Sequence, residues 1–135
     1  MKGRIQDKVR EIESYLREMG RIHPKSLNEY LDIKNKAACE RYFEKIVEAV
    51  VDLAYLIIRD LKIETPEDDK IAFKRLAEEG IIADKLVEKL KDAKGMRNIL
   101  AHEYGRINDS IVYNSLNELE KDVKELVKSV KQHYR

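Results

Sequence analysis

The longest apolar run of this 135-residue chain lies within residues 39–58, CERYFEKIVEAVVDLAYLII. The apolar positions of this segment keep a helical period, and from Val50 to Ile58 the sequence is apolar nearly all round. A helix that is apolar on every side is usually buried by its neighbours. We therefore predict a central helix, inside a helical region that runs from about Leu27 to Ile63, with the other helices packed around it.

Two amphipathic helices are predicted at the ends of the chain. Apolar residues recur there at spacings of three and four, which place them on one face of a helix. In the first helix, near residues 2–19, they are Ile5, Val9, Ile12, Leu16 and Met19. In the last helix, which runs to the C-terminus, they are Val112, Leu116, Leu119, Val123, Leu126 and Val130. Each stripe predicts one face packed against the central helix.

Helix breakers and capping residues divide the rest of the chain. Gly20 is expected to end the first helix, before His23-Pro24. Thr65-Pro66 is expected to begin a short helix that stops at Gly80, because threonine can cap a helix and proline suits its first position. A fourth helix is predicted from about residue 83 to 104, and Asn108-Asp109-Ser110 offers caps for the fifth.

Composition agrees with this pattern and limits the classes of function. The chain has 5 Gly, 2 Pro and no Trp, which favours an all-α, up-and-down bundle of about five helices forming one domain over residues 1–135. Lys and Arg number 27 against 26 Asp and Glu, so whole-molecule attraction to nucleic acid or to a membrane is not indicated. Apolar runs are far too short to span a bilayer, no signal peptide is expected, and the single Cys39 favours the cytoplasm.

The fourth predicted helix carries the residues with chemical potential. Arg97 falls on the same stripe as Leu86, Leu90 and Leu100, where a guanidinium is costly unless it is paired or lines a wet cleft. An interior ion pair and a cleft both remain open from spacing alone. His102 lies about 140° further round an ideal helix, so the two side chains converge only through a bend, which Gly95 would permit, or through a partner surface. A satisfied polar histidine near a helix end is the simpler alternative.

The segment GMRNILAHEY, residues 95–104, resembles the signature of HEPN-domain proteins. An arginine, a small polar residue and then a histidine form that signature, and the tyrosine two positions after the histidine is similar to the HepT branch of toxins. The resemblance covers about 100 residues from Lys36 onward and includes ACERYF, residues 38–43. One departure is Asn108, which stands where the branch has an acidic residue, although Asp109 follows it.

The resemblance implies a metal-independent ribonuclease on a helical bundle, acting as a two-fold homodimer with both motifs at the dimer cleft. Arg97 and His102 would be its catalytic residues, and Asn98 would support the site. The partner would be a minimal nucleotidyltransferase antitoxin of the MntA type, which modifies the matching tyrosine, here Tyr104, with AMP. Neither a metal site nor a cofactor is expected.

The residues fit a reaction in which RNA supplies its own nucleophile, the 2′-hydroxyl. A histidine can move protons near neutral pH, and an arginine can hold two phosphate oxygens. Because the sequence has no metal-ligand cluster, we hypothesise products with 2′,3′-cyclic phosphate and 5′-hydroxyl ends. The alternatives are a nuclease that serves in RNA processing rather than toxicity, and a non-catalytic helical partner or scaffold subunit of a nucleotidyltransferase.

Overall fold

A computed structural model describes residues 3–102 and 107–134 of the chain. Across these residues the chain forms six helices and no strand, which confirms the prediction of an all-α fold. The helices are α1 (Gly3–Ile22), α2 (Leu27–Tyr30), α3 (Ile33–Asp60), α4 (Asp69–Glu78), α5 (Asp84–His102) and α6 (Asp109–His133). Five of them correspond to the predicted helices, and the sixth is the four-residue α2.

The central helix of the bundle is α3, as predicted. It packs against each of the other five helices, and Phe43, Ile46, Leu53 and Ile57 on it are fully buried. Its position follows from its sequence, because a 28-residue helix with apolar residues on several faces removes the most apolar surface from water when helices surround it.

The apolar stripes predicted for the terminal helices are confirmed in full. All five stripe residues of α1 and all six of α6 are buried. The side chains of Lys36 and Asp109 meet near the starts of α3 and α6, and Tyr134 donates to Asp60 near their ends, so these two helices run in the same direction. Leu100, near the end of α5, lines one groove with Lys36 and Asp109. The start of α3, the start of α6 and the end of α5 therefore lie at one end of the bundle, which we call the motif end.

Three predicted helix boundaries are wrong. Helix α1 continues through Gly20 to Ile22 and ends before the His23-Pro24 pair, where the residue preceding a proline disfavours helix. The predicted region from Leu27 onward is divided, because the side chain of Asp32 accepts from the backbone N–H of Asn35 and begins α3 there. Helix α4 begins after Asp68 instead of at Thr65-Pro66, since aspartate is the stronger cap.

The predicted start of α6 and the predicted stop of α4 at Gly80 agree with the structure, whereas the predicted end of α5 at residue 104 lies outside the described residues. The side chain of Asn108 accepts from the backbone N–H of Ile111 at 3.2 Å and caps α6. Gly80 has a φ of 73° just after α4, a left-handed conformation that suits glycine at a helix C-terminus. None of the helices described here is both long enough and apolar enough to cross a membrane.

Candidate active site at the end of α5

Helix α5 carries the predicted motif, and it is not interrupted at Gly95. Leu86, Leu90 and Leu100 are buried along its core face. Arg97 lies on the same stripe, and its side chain is only 23% exposed. The predicted placement of a guanidinium between apolar residues is therefore confirmed, and its cost requires a partner.

That partner is Glu48 on α3. The Oε1 atom of Glu48 accepts a hydrogen bond from Nη2 of Arg97 at 2.5 Å, which joins residues 49 positions apart in the chain. The Glu48 side chain is 50% exposed, so the contact lies at the edge of the core rather than inside it. The Nε atom of Arg97 is buried without a hydrogen-bond partner in the described residues. The structure therefore provides an ion pair for Arg97, at the edge of the core instead of in its interior.

His102 and Asn98 are both exposed. His102 is the last residue of α5. Because the helix is continuous, His102 lies about 140° round from Arg97 and about 7.5 Å further along the axis. One chain thus does not bring these two side chains to the same face of α5. Tyr104, the predicted AMP acceptor, lies outside the described residues.

A polar groove of about 570 Å³ adjoins Leu100 at the motif end. Its walls come from the first turns of α3 and the chain around the start of α6, and they include Lys36, Glu40 and Asp109. The Lys36 ammonium contacts the Asp109 carboxylate at 2.8 Å. Burial raises the pKa of Glu40 against the opposing effect of Lys36. A proton is therefore retained on this carboxyl to a higher pH than on a solvated glutamate.

Glu48 was not among the site residues predicted from the sequence. Glu40, Glu44, Glu48 and Asp52 recur at intervals of four, a row of carboxylates along one side of α3. From this spacing one could have predicted that one side of α3 carries carboxylates that face a neighbouring helix. It did not show which acid meets Arg97, because the members of the row have different partners: Asp52 contacts Lys8 of α1 at 3.5 Å.

A second groove, of about 590 Å³, lies between α1 and α6 and contains none of the motif residues. Its rim is rich in lysine, but Lys124 contacts Glu120 and Lys131 contacts Glu13. Within the described part of the chain, no group of three or more His, Cys, Asp or Glu side chains has an arrangement that could hold a metal ion.

The chain is similar in sequence to proteins of one ribonuclease family. A family model described as ribonuclease HepT-like matches residues 5–130. The mRNA nuclease HepT of Shewanella oneidensis is 28% identical over 88 residues, which cover 65% of this chain and 66% of that protein. A protein of Archaeoglobus fulgidus is 36% identical over 73 residues, so the chain spans about half (54%) of that relative's length.

Solved structures share the fold. A tri-AMPylated HEPN toxin of Shewanella oneidensis, in complex with an MNT antitoxin, superimposes with a TM-score of 0.89 at 23% identity, covering 98% of this chain and 99% of that one. The cytosolic protein YutE of Bacillus subtilis, of unknown function, gives a TM-score of 0.81 at 15% identity over 96% of this chain and 87% of its own. At such identities the likeness shows the helical architecture.

Proposed function

This chain belongs to the ribonuclease HepT-like family, and we propose that it is a metal-independent endoribonuclease, the toxin of a toxin–antitoxin pair. The observation that supports this most is the state of the motif on α5: Arg97 is held by Glu48 with its tip at the surface, and His102 is exposed at the end of the same helix. RNA is the expected substrate, and the protein is expected to act in the cytoplasm.

In the proposed reaction the 2′-hydroxyl of RNA attacks the adjacent phosphorus and expels the 5′-oxygen of the next nucleotide. One histidine takes the proton of the attacking hydroxyl, and another gives a proton to the leaving oxygen. Arg97 donates to the non-bridging oxygens, on which negative charge grows. Asn98, exposed one residue further along α5, supports the site. The products carry 2′,3′-cyclic phosphate and 5′-hydroxyl ends.

Product analysis tests this proposal. We expect the purified protein to cleave an RNA of mixed sequence into fragments with these two end groups, and EDTA to leave the rate unchanged. A DNA oligonucleotide of the same sequence is the control, and it should remain intact because it lacks the 2′-hydroxyl. Activity that is lost with EDTA and restored by a divalent metal, or fragments with 5′-phosphate ends, would contradict the mechanism.

A homodimer would supply a second motif histidine, His102 of the other copy. It would also bring a partner surface against α5, so that Arg97 and His102 from different copies could face one cleft. Three apolar side chains at the motif end are exposed: Ile33 at 85%, Ile111 at 56% and Ile99 at 37%. Burying them against a second copy would remove apolar surface from water. A two-fold axis near the ends of the α5 helices would also place both motifs in one cleft.

We expect light scattering at micromolar concentration to give twice the mass of one chain. Ile33→Asp should shift the population toward monomer, because a charge in an apolar interface must lose its hydration. Asp7→Asn, an exposed position on α1, is the control and should leave the mass unchanged. A strictly monomeric wild-type protein would be evidence against the dimer.

The proposed antitoxin is a minimal nucleotidyltransferase of the MntA type. The Shewanella oneidensis structure contains an AMPylated HEPN toxin with an MNT antitoxin, and this chain shares that toxin's fold. By this likeness we propose Tyr104 as the AMP acceptor. Phosphates attached two residues after His102 would add bulk and negative charge near the motif and would compete for the guanidinium of Arg97.

We expect the purified chain to gain one or more AMP units when it is incubated with ATP and the nucleotidyltransferase encoded by a neighbouring gene. Mass spectrometry detects the addition. Tyr104→Phe should block the addition, because phenylalanine lacks the hydroxyl that accepts AMP, and it should retain at least part of the nuclease activity. Tyr113→Phe is a matched tyrosine control on α6. If the modification persists undiminished in Tyr104→Phe, the acceptor is another residue.

The alternative function is a non-catalytic helical subunit that binds or supports a nucleotidyltransferase. A neighbouring nucleotidyltransferase gene is expected under both proposals, so its presence does not separate them. Expressing the gene for this chain alone separates the two proposals, because growth arrest would fit only the toxin. The nearly balanced charge of the chain is the observation that favours the scaffold, since strong affinity for RNA is usually accompanied by excess positive charge.

A further inference from the structure

The contact between Glu48 and Arg97 crosses from α3 to α5 and is a tertiary contact, unlike the ion pairs that neighbouring turns of one helix make. Arginine has a long stem with many rotamers, so a free guanidinium samples many positions. Here the stem is packed beneath the surface, Nε is buried, and Glu48 engages Nη2. Burial of Nε and the ion pair of Nη2 therefore both restrict where the guanidinium can lie.

The held guanidinium keeps donors for a ligand. Arginine has five N–H donors, and Glu48 accepts one of those on Nη2. Because Nε faces the interior, the donors that remain for a ligand are those of Nη1 and the second N–H of Nη2. Two parallel N–H groups of this kind match two oxygens of a phosphate.

We propose that Glu48 is a positioning residue for the ribonuclease reaction: its carboxylate orients the Arg97 guanidinium so that the Nη1 and Nη2 donors face the scissile phosphate before RNA binds. This inference rests on the proposed function, in which Arg97 contacts that phosphate. Glu48 itself does not touch the substrate. Its contribution is pre-organisation, which avoids the cost of reorienting a charged group during the reaction.

Kinetics of Glu48→Ala provide the first test. We expect kcat/KM for RNA cleavage to fall by roughly 10- to 100-fold, mostly through kcat, because a misplaced donor is missed most in the transition state. Glu48→Asp should recover part of the loss, since it restores the charge on a shorter stem. Glu13→Gln is the matched control, because it breaks another ion pair between two helices, that with Lys131, far from the motif.

A double-mutant cycle separates positioning from general destabilisation. If Glu48 acts through Arg97, Glu48→Ala should cause no further loss in an Arg97→Ala background, within about twofold. The inference would be overturned if the two losses multiplied in the double variant. It would also be overturned if Glu48→Ala were fully active while Arg97→Ala was impaired. Neither result would contradict the proposed function. Unimpaired cleavage in Arg97→Ala would instead refute the role of Arg97 in the proposed function, and with it the assigned purpose of Glu48.

A measurement without RNA completes the test. Hydrogen exchange of the Arg97 Nε–H group, followed by NMR on the ¹⁵N-labelled protein, should be slow in the wild type and in Glu13→Gln. In Glu48→Ala it should be faster by about tenfold or more, because the released side chain opens to water. Equal exchange rates in Glu48→Ala and the wild type would refute the positioning, whether or not the protein cleaves RNA.

Discussion

We expect His102→Ala to abolish RNA cleavage while the melting temperature stays within a few degrees of that of the wild type. The side chain is exposed at the end of α5, so its removal leaves no cavity, and surface changes of this kind alter stability by about 0.5 kcal/mol or less. Proton transfer by a positioned side chain contributes roughly 10²- to 10⁴-fold to a rate. In the proposed dimer the substitution removes both the base and the acid, so the loss lies at the upper end of this range or beyond it.

The control for this experiment is His133→Ala. His133 is also an exposed histidine near the end of a helix, and it lies on α6 at the opposite end of the bundle from the motif. Cleavage should be unchanged in this variant. If His102→Ala cleaved RNA as fast as the wild type, His102 would not belong to the active site, and the mechanism would need a different proton donor and acceptor.

Arg97→Ala is the second large effect. We expect a loss of about 3 kcal/mol or more of transition-state stabilisation, or at least about 150-fold in kcat/KM, as is typical when donors to a developing oxyanion are removed. Arg97→Lys should be intermediate, because the ammonium keeps the charge but not the two-pronged donor geometry. The free energy of unfolding should fall mainly through the lost packing of the arginine stem, since Glu48 is half exposed and is hydrated once it is free.

Lys94→Ala is the matched control for Arg97. Lys94 precedes Arg97 by one turn on α5 and contacts Asp69 of α4 at 2.9 Å, so its loss also breaks a tertiary ion pair. Cleavage should remain near the wild-type rate in this variant. An equal loss in Lys94→Ala and Arg97→Ala would indicate that α5 has been displaced, and the specific role of the guanidinium would then be rejected.

These two predictions concern residues that share a helix but not a face. The angle of about 140° between Arg97 and His102 cannot be closed by the uninterrupted helix that the structure contains. The predicted bend at Gly95 was one solution, and the other was a partner surface. With α5 continuous through Gly95, the partner surface is the solution that we carry into the proposal of a dimer.

Helix existence and burial could be read from local sequence. The stripes of α1 and α6 and the apolar faces of α3 depend only on residue spacing, because a helix repeats every 3.6 residues wherever it occurs. The cap at Asn108 is equally local, since its bond reaches only three residues along the chain. Helix boundaries with two possible capping residues were harder to predict. Thr65 and Asp68 can both cap the start of α4, and the difference in capping free energy between the two residue types is small.

The sequence by itself determined the all-helical class, the central position of α3 and the position of Arg97 on an apolar stripe. Only the tertiary structure decided that Glu48, rather than Glu44 or Asp52 of the same row, meets the guanidinium at 2.5 Å. The physical reason is that the choice depends on how far α5 is rotated about its axis and shifted along α3. Those two quantities are set by the packing of all the buried side chains together, and no local period encodes them.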